Sequence, residues 1–474
     1  MSESTSLYRS LLSAIRVSVL ARYSTYLVNL ILLMVYARLF TPEEFGVVAI
    51  INVFVMFFMV FGEAGLSAGI VNRAEITAEE RDGIFSFSAL LGLAIAVLFV
   101  GFLFLLNWLY ERSDYQILGL FAAAGIFFNV LSAVPLAAYL REKRFDWVAL
   151  HTIAGELVAL VAVLTIWYQG ERLLAIAARP FFLAAVMFSL HWWRSARLPL
   201  GRPAFGDQLG AIRAISQFSG FLLAFNLVNY FSRNADNILV GKVLGAGALG
   251  VYEKSYALMK YPLVLLSFAI NPAIQPTINR YQDQPEKVCE VHLMLIRKLG
   301  FLASMIAFVI YTQAELIVSL MLGGQWHEVV PLLQILAFSI PVQTITACNG
   351  GFWQGMGDTK NMFYNGMVGA ALILLTVVSC LLLWPSLQGL CMALVVVFHG
   401  IFAYAVSRLF RILYGSGFLP VLRQMVGSMV PFALALLLFE SFPQLGLVWP
   451  PLLLMLLAML VFLPFVRPQL LRSA

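Results

Sequence analysis

The sequence predicts an all-α integral membrane protein of about fourteen spanning helices, and three observations carry that prediction. Of its 474 residues, 61% are hydrophobic and only 11% are charged, whereas a soluble fold carries about a quarter charged residues. Apolar runs recur along the whole chain, each near the roughly 20 residues that a bilayer requires. The segments between them are short, and their Lys and Arg alternate in abundance from one loop to the next. Irregular backbone cannot face hydrocarbon, so each run reads as a helix.

The first run, near 15–38, is long and has no small-residue cleavage site after a short core, so it reads as a span and not a removable leader. Helices near 45–71, 84–109, 116–140, 148–169 and 173–193 complete a first lobe, residues 1–193. A basic stretch, 194–214, reads as a linker. Helices near 215–241, 248–275, 292–320, 329–352, 362–384 and 387–408 build a second lobe, residues 215–410. Two more, near 425–442 and 446–466, occupy residues 411–474, with Phe442-Pro443 and Trp449-Pro450-Pro451 crowding their connection. The expectation is two pseudo-symmetric six-helix lobes plus two C-terminal helices.

Orientation follows from charge. One set of alternate loops holds Arg9 and Arg16, Arg73 and Arg81, Arg141, Lys143 and Arg144, Arg194, Arg197, Arg202 and Arg213, and continues basic through Arg467 and Arg472. The other holds Arg38, Arg112, Arg172 and Lys242. Lys and Arg stay on the cytoplasmic side, so both termini are expected there.

The chain also repeats itself. Arg38-Leu39-Phe40-Thr41-Pro42-Glu43-Glu44-Phe45-Gly46-Val47 and Lys242-Val243-Leu244-Gly245-Ala246-Gly247-Ala248-Leu249-Gly250-Val251 share a frame at an offset of 204. Each leads from the first into the second helix of a lobe. Parallel repeats place a path between two bundles in transporters. Pro135, Pro180, Pro262, Pro272, Pro341 and Pro431 fall inside spans, where each removes a backbone donor and can bend its helix; proline is also simply commoner in membrane helices.

Several classes are excluded. The net charge of +6 is spread over short loops, not gathered on one face as nucleic-acid binding needs. Cys289, Cys348, Cys380 and Cys391 have no metal-ligand spacing. No Gly-x-x-x-x-Gly-Lys-Ser/Thr sequence occurs, which disfavours an ATP-driven pump. A membrane glycosyltransferase or polymerase would need catalytic groups on a substantial outer loop, and no such loop is present between the spans. No catalytic residue, metal or cofactor is expected.

Arg233-Asn234-Ala235-Asp236-Asn237-Ile238-Leu239-Val240-Gly241, with Leu249-Gly250-Val251-Tyr252 and Asn271-Pro272-Ala273-Ile274-Gln275-Pro276, resembles the polysaccharide-exporter branch of the MOP flippase superfamily. Phe61-Gly62-Glu63-Ala64-Gly65-Leu66 and the Leu140-Arg141 exit are similar to it too. The likeness covers the first eight helices well and the rest mainly by topology. It implies a bacterial inner-membrane flippase whose cargo is an undecaprenyl-pyrophosphate-linked oligosaccharide, with other polysaccharide-assembly proteins as partners. An ion-coupled multidrug antiporter of the same fold is the alternative.

Ionisable groups within spans are costly and face a cavity or a partner. Here they are Arg22, Glu63, Glu156, Arg179, Arg233, Asp236, Glu253, Lys254 and Lys260. Arg233 lies nine residues from Lys242, roughly 13 Å of helix, near the midplane. A lipid pyrophosphate needs cations at that depth, and Arg pairs with it bidentately. Arg22, Arg179, Arg233 and Lys260 are therefore the expected substrate path. Glu63, Glu156 and Asp236 are the expected ion-coupling or counter-ion groups, with H+ or Na+ as the coupling ion if there is one. Glu63 and Glu156 serve equally as counter-ions to Arg22 or Arg179, and Asp236, three residues from Arg233 on one helical face, to Arg233. Glu253 and Lys254 read as near enough to the membrane surface for solvation. His151 reads as interfacial, and His191, His292, His327 and His399 form no cluster in the sequence.

Overall fold

A computed structural model describes residues 23–63, 66–73, 75–208, 210, 230 and 234–441. All regular structure among them is helical: α1 (Tyr23–Leu39), α2 (Pro42–Glu63), α3 (Leu66–Asn72), α4 (Ala78–Tyr110), α5 (Tyr115–Leu131), α6 (Ala133–Arg141), α7 (Phe145–Tyr168), α8 (Arg172–Ser195), α9 (234–243) and α10 (Ala246–Asn279). There follow α11 (Pro285–Thr312), α12 (Ala314–Met321), α13 (Val329–Ala337), α14 (Ile340–Gly355), α15 (Thr359–Leu383), α16 (Leu387–Tyr414) and α17 (Leu419–Ser441), with one short 3-10 turn at Gly324–Trp326. Eight of the described helices are long and apolar enough to cross a bilayer, or ten spans when two bent pairs are each counted once. The chain is thus a multi-pass membrane protein. Leu98, Phe104, Val161, Leu382 and Leu383 are more than half exposed on these helices, which is tenable where the solvent is lipid.

The helices gather into two compact units, Met1–Gly250 and Val251–Ala474. In the first, α5 packs between α4 and α8, and α7 lies along α8. Buried Ala122, Ala123, Ala175, Ala177 and Ala178 line these contacts, and small side chains let membrane helices approach closely. In the second, α11 packs on α14 and α17, and α16 on α13, α14 and α15. Ile296, Leu299, Phe352, Trp353, Val406, Leu409 and Phe410 form its core.

Helix ends follow local chemistry. Thr77 starts α4 with a capping box: its side chain accepts from the Glu80 N–H, and the Glu80 carboxylate accepts from the Thr77 N–H. Asp358 and Ser386 cap α15 and α16 by accepting from Asn361 and Gly389.

Of the six candidate prolines, two coincide with breaks. α5 and α6 meet at 42°, and α13 and α14 at 59°. Pro135 and Pro341 follow these breaks, and their carbonyl-clash positions four residues earlier are Leu131 and Ala337, the last residues of α5 and α13. The fourth predicted span of each lobe is thus bent at the same place. Pro180, Pro262, Pro272 and Pro431 sit in helices that continue through them.

The repeated frame has a structural counterpart. A Cβ on Gly46 would run into the Ala246 carbonyl, and one on Gly250 into the Pro42 carbonyl. Each repeat's glycine therefore receives the other repeat's helix start.

Loops of the first unit alternate between its two ends. Arg172 Nη2 donates to the Leu39 carbonyl at 2.7 Å, Arg112 Nη1 to Glu43 Oε1 at 3.2 Å, and Lys242 Nζ to the Leu109 carbonyl at 2.6 Å. At the opposite end Arg81 Nη1 donates to the Leu200 carbonyl at 2.6 Å, and the Ala204 N–H to Asp82 Oδ1 at 2.9 Å.

Candidate functional site

The intramembrane charges were the expected site, and the structure brings two of them together. Glu156 is 3% exposed on α7. Arg179, on the adjacent α8, donates from Nη2 to both of its carboxylate oxygens, at 2.8 and 2.9 Å. The Arg179 side chain keeps 32% of its surface exposed. Its guanidinium carbon lies 5.2 Å from the ring centre of Tyr36 on α1, so an aromatic face stabilises the cation from a third helix. Three helices fix one guanidinium, and one of its nitrogens alone engages the carboxylate. The sequence left Glu156 open between two counter-ion partners and offered no signal for Tyr36.

The other candidates are placed as follows. Lys260 is exposed on α10, with Nζ 4.4 Å from the Tyr256 ring centre. The Asp236 carboxylate in α9 accepts from the Asn237 N–H at 2.9 Å. Glu63 is the last residue of α2. Arg22 and Arg233 lie outside the described residues. Lys254 departs from the solvated reading: its side chain is 8% exposed, with Nζ 3.6 Å from the Glu253 carboxylate.

Two histidines meet across helices. His151 and His191 are buried at 2% and 0% exposure, and their ring centres are 5.0 Å apart. Tyr139 packs on both, and the His191 Nδ1 lies 3.3 Å from the Ser132 hydroxyl at the bend between α5 and α6. His151 is thus buried within the protein, and the pair is assembled by antiparallel packing of α7 and α8 across a 40-residue separation that no periodicity reveals.

Sequence reasoning also missed what neutralises the sparse basic residues. Arg172 pairs with Glu44 through Nε at 2.7 Å and Nη2 at 3.0 Å. Lys242 reaches Glu111 at 3.4 Å, and Arg112 reaches Asp114 at 2.8 Å. Hydrogen bonds from Arg112 hold the Asp114 carboxyl below the usual carboxylate range, and those same bonds raise Arg112. Among the described residues, no group of three or more His, Cys, Asp or Glu is placed to hold a metal ion.

Comparison with known proteins agrees with this architecture. A family model described as "Polysaccharide biosynthesis protein" matches residues 35–331. The chain is similar to the amylovoran biosynthesis protein AmsL of Erwinia amylovora, 25% identical over 77% of this chain and 94% of that one. It is also similar to the succinoglycan biosynthesis transport protein ExoT of Rhizobium meliloti, 23% identical over 74% and 71%. Among solved structures, the lipid II flippase MurJ in an inward closed conformation superposes with a TM-score of 0.72 at 12% identity, covering 95% of this chain and 99% of that one. That last likeness concerns the fold. With a family model matched over more than half its length, the chain belongs to the polysaccharide biosynthesis protein family.

Proposed function

We propose that the protein is a flippase that carries a polyprenyl-pyrophosphate-linked oligosaccharide across the bacterial inner membrane for assembly of a surface polysaccharide. Family membership supports this, as do the amylovoran biosynthesis and succinoglycan biosynthesis transport roles named for similar proteins. The observation that carries it is Arg179. A guanidinium about 10 Å along α8 from Arg172 is retained in a membrane protein, fixed by Glu156 and Tyr36, with a third of its surface unburied. An intramembrane cation held in that way marks a path for an anionic group.

In this reading the chain has fourteen spans, with both termini cytoplasmic. Residues 1–193 and 215–410 are six-helix lobes joined by a linker over 194–214, and residues 411–474 add two helices. The lobes alternate access; Arg22, Arg179, Arg233 and Lys260 escort the pyrophosphate while the polyprenyl chain stays in lipid. Glu63, Glu156 and Asp236 balance those cations or carry a coupling ion.

The test is lipid analysis of a bacterial host with and without the gene. Accumulation of one polyprenyl-pyrophosphate oligosaccharide on the cytoplasmic face, with loss of the matching surface polymer, is expected. Unchanged lipid-linked sugars with altered sensitivity to cationic drugs would replace this reading with the antiporter.

A further inference from the structure

Most arginines with a defined partner are matched to a carboxylate: Arg73, Arg81, Arg112, Arg144, Arg172 and Arg179 each form an ion pair. Arg194 and Arg408 are among those held without one. In the first unit, Arg194 in the last turn of α8 places its guanidinium carbon 3.4 Å from the ring centre of Trp147, in the first turn of α7. In the second, Arg408 near the end of α16 lies 5.8 Å from the ring centre of Tyr364, in the second turn of α15. No carboxylate lies within ion-pair distance of either among the described residues.

The matching runs deeper than one contact. α7 and α8 are the fifth and sixth predicted spans of the first lobe, and α15 and α16 those of the second. In both pairs the aromatic residue lies within the first two turns of the earlier helix and the arginine within the last two turns of the later one. At Arg408 the cation is further fixed by neutral oxygens: Nη1 donates to the Tyr404 hydroxyl at 2.8 Å and Nη2 to Asn361 Oδ1 at 2.7 Å. The Asn361 amide is itself oriented by Asp358, which accepts from its Nδ2 at 2.7 Å. A half-buried cation oriented in this way and lacking a counter-ion is stabilised when an anion completes it.

The surroundings say which anion. Alongside Tyr364, which is 45% exposed, Phe363 and Met367 on α15 are 43% and 40% exposed, and Leu150, one turn from Trp147, is 50% exposed. Each cation therefore stands at a helix end above an outward apolar surface. An acyl chain would lie along that surface, whereas a free phosphate would gain nothing from it. Exposed Lys360, next to Asn361, adds attraction toward an anionic leaflet.

We propose that Arg194 with Trp147, and Arg408 with Tyr364, are two repeat-related sites that bind the phosphate of an anionic phospholipid, one on each unit. The sites are independent of what the protein transports.

The full-length protein, purified in detergent, would be titrated with phosphatidylglycerol, phosphatidylcholine or inorganic phosphate, following thermal unfolding and, by native mass spectrometry, retained lipid. Phosphatidylglycerol should raise the midpoint saturably, with neither of the others doing so. Arg194→Gln and Arg408→Gln should each weaken retention at one site by about fivefold, the effect of one interfacial cation. Arg411→Gln, an exposed arginine without such partners, should change little. Equal shifts with phosphatidylcholine, or wild-type retention in both variants, would overturn the proposal. So would loss in Arg411→Gln as large as in the other two. A shift reproduced by inorganic phosphate would overturn the lipid assignment in favour of a small-anion site. The comparison of lipid classes uses wild-type protein, so it decides even if a variant does not fold.

Discussion

Glu156 and Arg179 make a direct test of what an intramembrane charge does. Breaking a buried pair by removing one partner leaves an uncompensated charge, worth 3–5 kcal/mol in fully buried cases. Here Glu156 is buried, but Arg179 keeps a third of its surface exposed, so Glu156→Ala should destabilise by about 2–4 kcal/mol. Replacing both, as Glu156→Met with Arg179→Met, should recover most of that loss, because no charge remains to be stranded. Thermal unfolding of the purified variants measures both; a single variant as stable as wild type would show that the pair does not bear on folding. Export separates the roles further: if Arg179 contacts cargo, the double variant should be stable and inactive. The residues were legible because charge inside an apolar run is conspicuous. Their pairing was legible only as one of two options, since which helix faces which depends on tertiary packing. The buried His151–His191 contact was not legible for the same reason.

Individual helices show how much a short motif specifies. The repeat frame at an offset of 204 was readable from residues 38–47 and 242–251, yet nothing in it showed that each glycine meets the other repeat's start. Since a side chain at either position would strike a backbone carbonyl, the helices would have to separate. Gly46→Ala or Gly250→Ala should therefore cost about 1–3 kcal/mol, the range for overpacking a tight contact. Gly101→Ala on α4, where a Cβ would meet nothing within 4 Å, should leave the unfolding midpoint unchanged or slightly raised. A Gly46→Ala protein as stable as the Gly101→Ala control would mean the close approach is not a packing constraint. Proline was a less specific guide. Six candidates read alike in sequence, and only the breaks ahead of Pro135 and Pro341 bend a described span sharply. A proline removes the same donor everywhere; whether the helix breaks depends on what neighbouring helices allow, which composition does not record.

For the molecule as a whole, loop charge predicts an orientation, and the exceptions to its bias have partners. Of the four basic residues on the sparse side, Arg112, Arg172 and Lys242 each pair with Asp114, Glu44 or Glu111, while Arg38 donates to the Met34 carbonyl at 2.9 Å. A neutralised arginine at a helix junction on the sparse side does not contradict a positive-inside bias carried by the opposite loops. The alternation of loops between the two ends of the first unit supports the same threading. Reporter fusions test the orientation directly. Alkaline phosphatase inserted after Gly170 should be active, because that turn belongs to the sparse side; the same enzyme inserted after Lys143 should be inactive. A green fluorescent protein fused after Ala474 should fluoresce, which requires a cytoplasmic C-terminus. The last fusion also tests the span count, because termini on one side demand an even number of crossings. A dark C-terminal fusion combined with the expected result at Gly170 and Lys143 would keep the orientation of the first lobe and overturn the count of fourteen in favour of an odd number of spans.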